Sequence, residues 1–192
     1  MPGRTVLFGG TFDPVHNAHI TVARAALEQF HPRRILFVPA ARPPHKGGAA
    51  NVSFEDRAHM LDLACAGEPR FAVSRIEAPT SEDARPSYSI LTIERLLAAG
   101  EGPLLFLIGA DAFAEIRSWF RWQDVISLVE FIVVTRPGAA YDSPPGAVVH
   151  ELEGLQLPES SSEIRGLLAR GEQAIPVPDP VRKWIAEHHL YS

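Results

Sequence analysis

Residues 4–19 read Arg-Thr-Val-Leu-Phe-Gly-Gly-Thr-Phe-Asp-Pro-Val-His-Asn-Ala-His. The run Arg4–Phe8 is β-rich and lacks the polar alternation of a half-exposed strand, the pattern expected when both faces of a sheet are covered. It ends at Gly9-Gly10, and a helical period follows. Ile20, Ala23, Leu27 and Phe30 share one face of a helix over about Ala18–Phe30, with Arg24 and Glu28 paired four apart on the outer side. A strand, a glycine turn and a helix open a parallel α/β unit.

The same alternation runs outward along the chain. Ile35–Val38 stops at Pro39, Phe71–Ile76 before Pro79, Leu104–Ile108 at Gly109 and Phe131–Val134 before Pro137, while Val148–Leu152 reads as a further strand. Between these lie helices. Ser53-x-x-Asp56 resembles a capping box ahead of a Phe54/Ala58/Leu61/Cys65 stripe. Ser87 reads as the cap of a helix carrying Ile90, Ile93 and Leu97 that stops at Gly100. Ser160-x-x-Glu163 caps another, with Ile164, Leu167 and Leu168 inward, and a helix over Asp179–His189 closes the chain. The alternation predicts an α/β fold over residues 1–192, one domain built on a doubly wound, mostly parallel sheet with helices on both faces. Pro39–Ala50 and Arg136–Gly146 read as surface loops within it.

Composition narrows the classes. The 192 residues carry 18 Lys+Arg against 23 Asp+Glu, a net charge of -5, and are 46% hydrophobic and 21% charged, which is ordinary globular usage. Acidity, with a pI near 5.9, argues against nucleic acid as a partner. The single cysteine, Cys65, excludes an internal disulfide and an all-cysteine metal site, and suits a reducing cytoplasm. The apolar run from Leu104 is cut at Asp111, far short of a membrane span, and the opening MPGRTVLFGG is too short for a signal peptide. A cytoplasmic protein with no membrane or nucleic-acid partner is expected; a homo-oligomer is compatible with the composition.

In doubly wound folds ligands bind beyond the carboxyl ends of the strands, where loops meet helix N-termini. Four stretches fall there. In Gly9–His19, His16 and His19 are three apart at the opening of a helix whose free N–H groups attract anions. This stretch is neither a dinucleotide fingerprint nor a P-loop, and it lacks the ligands of a zinc site. In Pro39–Lys46, Arg42, His45 and Lys46 form the densest cationic segment, and Lys46 would serve a phosphate as a point charge. In Gly109–Asp111 the carboxylate suits either a ribose hydroxyl or a helix N-cap. In Ser160–Arg165 the hydroxyl of Ser161 and the guanidinium of Arg165 share one face of a first helical turn. A cation there opposes the helix dipole unless an anion, either a bound phosphate or a neighbouring carboxylate, sits opposite. Downstream, Trp119-Phe120-Arg121-Trp122 is an aromatic cluster in which Trp122 reads as core and Trp119 as either packing or a platform for a planar ring.

Together these segments resemble the nucleotidyltransferases with HxGH and ISSTxIR signatures, and within them the nicotinate-nucleotide adenylyltransferases. The resemblance rests on GGTFDPVHNAH at 9–19, PPHK at 43–46, RPSYS at 85–89, LIGAD at 107–111, W-F-R-W at 119–122, SSSEIR at 160–165 and the closing VRKWIAEHHLY. It implies a Rossmann-like nucleotidyltransferase fold and transfer of AMP from ATP to nicotinate mononucleotide, giving deamido-NAD and pyrophosphate. Pantetheine phosphate and nicotinamide mononucleotide are the alternative acceptors. By the resemblance His16, His19 and Arg165 are catalytic. Gly9, Gly10, Thr11, Phe12, Gly109, Asp111, Ser161, Ser162 and Arg165 bind ATP, and His45, Lys46, Ser87, Tyr88 and Trp119 bind the acceptor. Mg²⁺ travels on the ATP phosphates with no protein metal site. The chain departs from the signatures at Ala18 (for Gly), Ser162 (for Thr), Leu91 (for a common Asp) and Glu159, a charge at an ordinarily apolar position.

Overall fold

A computed structural model describes residues 1, 3–43, 50–80, 85–135, 141–155 and 159–191. The described strands are β1 (Thr5–Gly10), β2 (Arg34–Pro39), β3 (Phe71–Val73), β4 (Leu104–Gly109), β5 (Glu130–Val134) and β6 (Val149–Leu152). They form one sheet in the order β3-β2-β1-β4-β5-β6, and every pairing is parallel. The expectation of a mostly parallel sheet is met, and the described sheet is parallel throughout.

The helices are α1 (Asn17–Phe30), α2 (Phe54–Cys65), α3 (Ser89–Ala98), α4 (Ala110–Ala114), α5 (Trp122–Leu128), α6 (Ser161–Ala169) and α7 (Asp179–Glu187), with a 3₁₀ turn at Ile116–Ser118. Successive strand residues point to opposite faces, so each buried strand supplies two cores. Val6, Phe37, Leu107 and Ile132 pack with Leu27 of α1, Leu61 of α2, Ile164 of α6 and Ile185 of α7. Their neighbours Leu7, Val38, Phe106 and Phe131 pack with Ile93 of α3, Phe113 of α4 and Val125 of α5. Burial on both faces is why β1, β2, β4 and β5 do not alternate with polar residues.

Several boundaries differ from the sequence reading. β1 runs on through Gly9 and Gly10, which pair with Val38 and Pro39. The chain turns later, at Phe12, whose φ of 51° is left-handed. Glycine at position 10 leaves room for that turn: a Cβ there would press on the Phe12 ring at 3.0 Å. β3 ends at Val73, because after Ser74 N–H donates to Phe37 O the chain folds into a turn. α7 stops at Glu187, short of His189, which takes φ 50°. Ser87 is not the cap of α3; that position is Tyr88, without a side-chain bond. Instead Ser87 pairs with Arg42. Its Oγ accepts from Arg42 N at 2.9 Å, and its N–H donates to Arg42 O at 2.9 Å. Ser160 does cap α6, in a reciprocal box with Glu163.

The strand order reverses about β1, with β2 on one side and β4 on the other. In a doubly wound sheet this switch point leaves a crevice at the carboxyl ends of the two strands.

Candidate active site

Two cavities of about 350 Å³ each open at that crevice, a size suited to a small ligand. They share Phe8, Ile108 and Gly109. Gly109 stands at their junction, and nothing lies within 4 Å of where its Cβ would project. A ligand in either cavity can therefore approach this stretch of backbone closely.

The first cavity is walled by His16, Ala18 and His19 from the start of α1, Asp111 from α4, and Glu159, Ser160 and Ser161 from the start of α6. His16 is the N-cap residue of α1, in extended backbone. Its N–H donates to His19 Nδ1 at 3.2 Å, and the two rings lie 3.7 Å apart. His16 is only 5% exposed, and among the described residues its Nδ1 has no hydrogen-bond partner. A buried polar atom left unpaired is costly unless something else, such as a ligand, satisfies it. Burial pushes the His16 imidazole down to about 4, against an opposing pull from Glu159, so it is neutral at pH 7.

This shift has a sign that can be checked. Between about pH 4 and the unperturbed value of 6.5, the unfolded chain takes up a proton that folded His16 refuses. The neutral-site contribution is thus complete above pH 6.5 and is lost progressively as pH falls toward 4. Urea unfolding from pH 4 to 7 should give a shallower stability slope for His16→Ala than for the parent; identical slopes would contradict the assignment.

The second cavity is lined by Gly9, Gly10 and Thr11 after β1, by Ala40 and Pro43 after β2, and by Ser87, Phe106 and Trp119. Trp119 packs against Phe106, ring centroids 5.9 Å apart, and presents its remaining surface to the cavity. Phe120, 51% exposed, lies against Tyr88, the ring centroids 4.7 Å apart and the planes tilted by 35°. Tyr88 itself borders a smaller adjoining cleft with Arg42, Glu77 and Arg95.

The structure sorts the expected residues. His16, His19, Gly109, Asp111 and Ser161 come together in the first cavity, whereas Gly9, Gly10 and Thr11 line the second, beside Ser87 and Trp119. Phe12 lines neither: it is 2% exposed and packs edge-on to Phe8 at 5.5 Å. Asp111 falls in the first turn of α4, whose N-cap is Gly109, so the N-cap role does not hold for it. Trp122, expected in the core, is only half-buried. His45 and Lys46 lie outside the described residues.

Arg165 and its neighbours face the first loop. Arg165 Nη1 donates to Asp13 O at 2.6 Å and lies 3.9 Å from the Asp13 carboxylate, and Nη2 donates to Ser162 Oγ at 3.1 Å. Ser161 Oγ donates to Pro14 O at 3.1 Å. The start of α6 is thereby fastened to residues 13–14.

Beneath this lies a buried polar centre that sequence reasoning missed. Asp13 is 2% exposed. Its Oδ2 accepts from the backbone and side-chain nitrogens of Asn51, both at 2.8 Å, and its Oδ1 from Tyr191 OH at 2.8 Å. Burial alone would raise its pKa, but these bonds and the Arg165 charge together hold it below the usual carboxylate value. Arg57, 1% exposed, donates from Nη1 to Thr11 O at 2.7 Å and Ala40 O at 2.8 Å, joining the loops after β1 and β2. One signal was available: Arg57 sits three after Phe54 and four before Leu61, a guanidinium on the apolar stripe of α2.

The family model described as cytidylyltransferase-like matches residues 7–167. A protein of Solibacter usitatus described as a probable nicotinate-nucleotide adenylyltransferase is 48% identical over 98% of this chain and 100% of its own length. One of the same description from Geobacillus kaustophilus is 39% identical over 99% of this chain and 87% of its own. In fold, the chain superposes on the Plasmodium falciparum nicotinic acid mononucleotide adenylyltransferase complexed with NaAD. The TM-score is 0.78 at 19% identity, covering 98% of this chain and 97% of that one. No described helix is long and apolar enough to cross a membrane. With the signature loops gathered at the switch point of a parallel sheet, the chain belongs to the cytidylyltransferase-like family, in its nicotinate-nucleotide adenylyltransferase branch.

Proposed function

We propose that this chain transfers the AMP moiety of ATP to nicotinate mononucleotide, forming deamido-NAD and releasing pyrophosphate. The observation that carries the reading is the pair of cavities meeting at Gly109. One is flanked by the starts of α1 and α6, the other by Trp119 and the glycine loop. ATP would occupy the first, its phosphates toward His16, His19 and Ser161, and the mononucleotide the second, its pyridine ring against Trp119. His45 and Lys46 would take the acceptor phosphate.

A 5′-phosphate oxygen of the acceptor attacks the α-phosphorus of ATP, and the bond from that phosphorus to the bridging oxygen of the β-phosphate breaks. The electron pair leaves with pyrophosphate. A phosphate monoester, with second pKa about 6, is already largely dianionic at pH 7, so no protein base or nucleophile is needed. The protein's task is to align two polyanions and to stabilise charge as it develops. Helix N-termini and imidazole N–H groups, fixed before the substrates arrive, suit that task.

Magnesium enters as part of the ATP substrate. Among the described residues no group of three or more His, Cys, Asp or Glu side chains could hold an ion alone. Asp111 and Glu159 line the first cavity and are hard oxygen donors, suited to a cation that already has phosphate ligands.

Incubation with ATP, Mg²⁺ and nicotinate mononucleotide should release pyrophosphate in step with acceptor consumed, and faster than with nicotinamide mononucleotide or phosphopantetheine. Release with phosphopantetheine alone would assign the chain to the sibling activity, and ATP binding without release would make it a sensor.

A further inference from the structure

The first cavity carries an unexpected charge balance. Among the described residues that line it there is no lysine or arginine, whereas Asp111 and Glu159 contribute two carboxylates. Arg165, the nearest expected cation, is instead engaged by Asp13 and Ser162. His16 is neutral at pH 7 because it is buried. The favourable groups are dipoles, at the starts of α1 and α6, and these offer only partial charges. A free triphosphate entering this space meets two formal negative charges at short range. A magnesium-complexed one meets them with its own charge largely cancelled, and with a cation drawn to carboxylate oxygen.

Of the two carboxylates Glu159 is the more telling. It precedes the Ser160 cap of α6 and shares the cavity wall with His16, Ser160 and Ser161. Among the described residues no hydrogen bond or salt bridge occupies its side chain, whereas Glu163 one turn on is held in the capping box. Among the described residues, then, a half-buried carboxylate without a hydrogen bond or salt bridge, beside an imidazole whose Nδ1 has no partner, lines the cavity that a ligand would enter.

We propose that Glu159 is a specificity-determining residue that makes the site discriminate magnesium-complexed ATP from free ATP, by repelling the uncompensated triphosphate. This rests on the assignment of the first cavity to ATP.

Calorimetric titration of the full chain with ATP, without acceptor, in excess Mg²⁺ and again in EDTA, tests it. The parent should bind the magnesium complex much more tightly than free ATP. Glu159→Gln should tighten free ATP by about tenfold, the effect of roughly 1.4 kcal/mol, and should weaken the magnesium complex, whose cation loses a carboxylate oxygen, so that the ratio of the two affinities collapses. Glu159→Asp should keep most of the parental discrimination, which a purely structural effect of substitution would not do. Equal ratios of the two affinities in parent and Glu159→Gln would overturn the proposal while leaving the ATP site intact. Failure of the parent to bind either form would overturn the site assignment, and the proposal with it.

Discussion

His16→Ala is expected to lower kcat by about 10²–10³-fold, the effect of removing one preorganised donor to the transition state, about 2.7–4 kcal/mol. Three observations make this side chain the place to look. It stands at the N-cap position of α1, so its ring lies beside the free N–H groups that would face a phosphate. It is buried in the wall of the first cavity, where a hydrogen bond to developing charge is screened little by water. And its Nδ1 has no hydrogen-bond partner among the described residues, so ligand binding costs it no partner there. Steady-state rates at saturating MgATP and acceptor measure the effect, with far-ultraviolet circular dichroism confirming the fold. The loss should fall on kcat more than on KM for ATP, since charge on the departing pyrophosphate grows only as the bond breaks. Turnover within twofold of the parent in a correctly folded variant would remove His16 from the chemistry.

How far this site could be read from the chain depends on sequence distance. The histidine pair was legible because both members sit on one helical turn, three residues apart after an identifiable strand. The capping box at Ser160 was legible for the same local reason. The α/β class followed from strands of continuous apolar character, a direct consequence of burial on both faces. What was not legible needs partners remote in sequence. The Ser87 hydroxyl, placed where a cap would serve, is taken by Arg42, 45 residues away. The position of Arg165 in its helical turn points to a phosphate or a carboxylate; its shortest hydrogen bond is to the backbone oxygen of Asp13, 152 residues away. The order of the strands, which creates the switch point, is a property of tertiary packing that alternation alone does not specify. Gly9-Gly10 misled because glycine signals a turn, whereas here the absence of a side chain at Gly10 makes room for the Phe12 ring.

Asp13→Ala is expected to cost about 3–5 kcal/mol of stability, the range for removing one member of a buried charge pair and stranding the rest. Asp13 is the node at which the signature loop, residue 51, the start of α6 and the C-terminal segment meet. Its loss leaves the Asn51 N–H groups and the Tyr191 hydroxyl without their acceptor. It also removes the carboxylate that favours two guanidinium charges: Arg165, 3.9 Å away, and buried Arg57. For a chain of this length each kcal/mol moves Tm by roughly 2–4 °C, so a fall of roughly 6–20 °C is expected in a thermal melt. The pH dependence has the sign of a carboxylate with a lowered pKa. The contribution is present above the unfolded value of 3.8 and is lost as pH falls through the lower folded value. The gap in stability between the parent and Asp13→Ala should therefore narrow under strong acid and be fully open once the pH is well above 3.8. A melt shifted by less than about 2 °C at pH 7 would mean that Arg57 and Tyr191 find other partners. The loops after β1 and β2 would then be held chiefly by the two carbonyl bonds from Arg57, and Arg57→Met would become the variant that uncouples them.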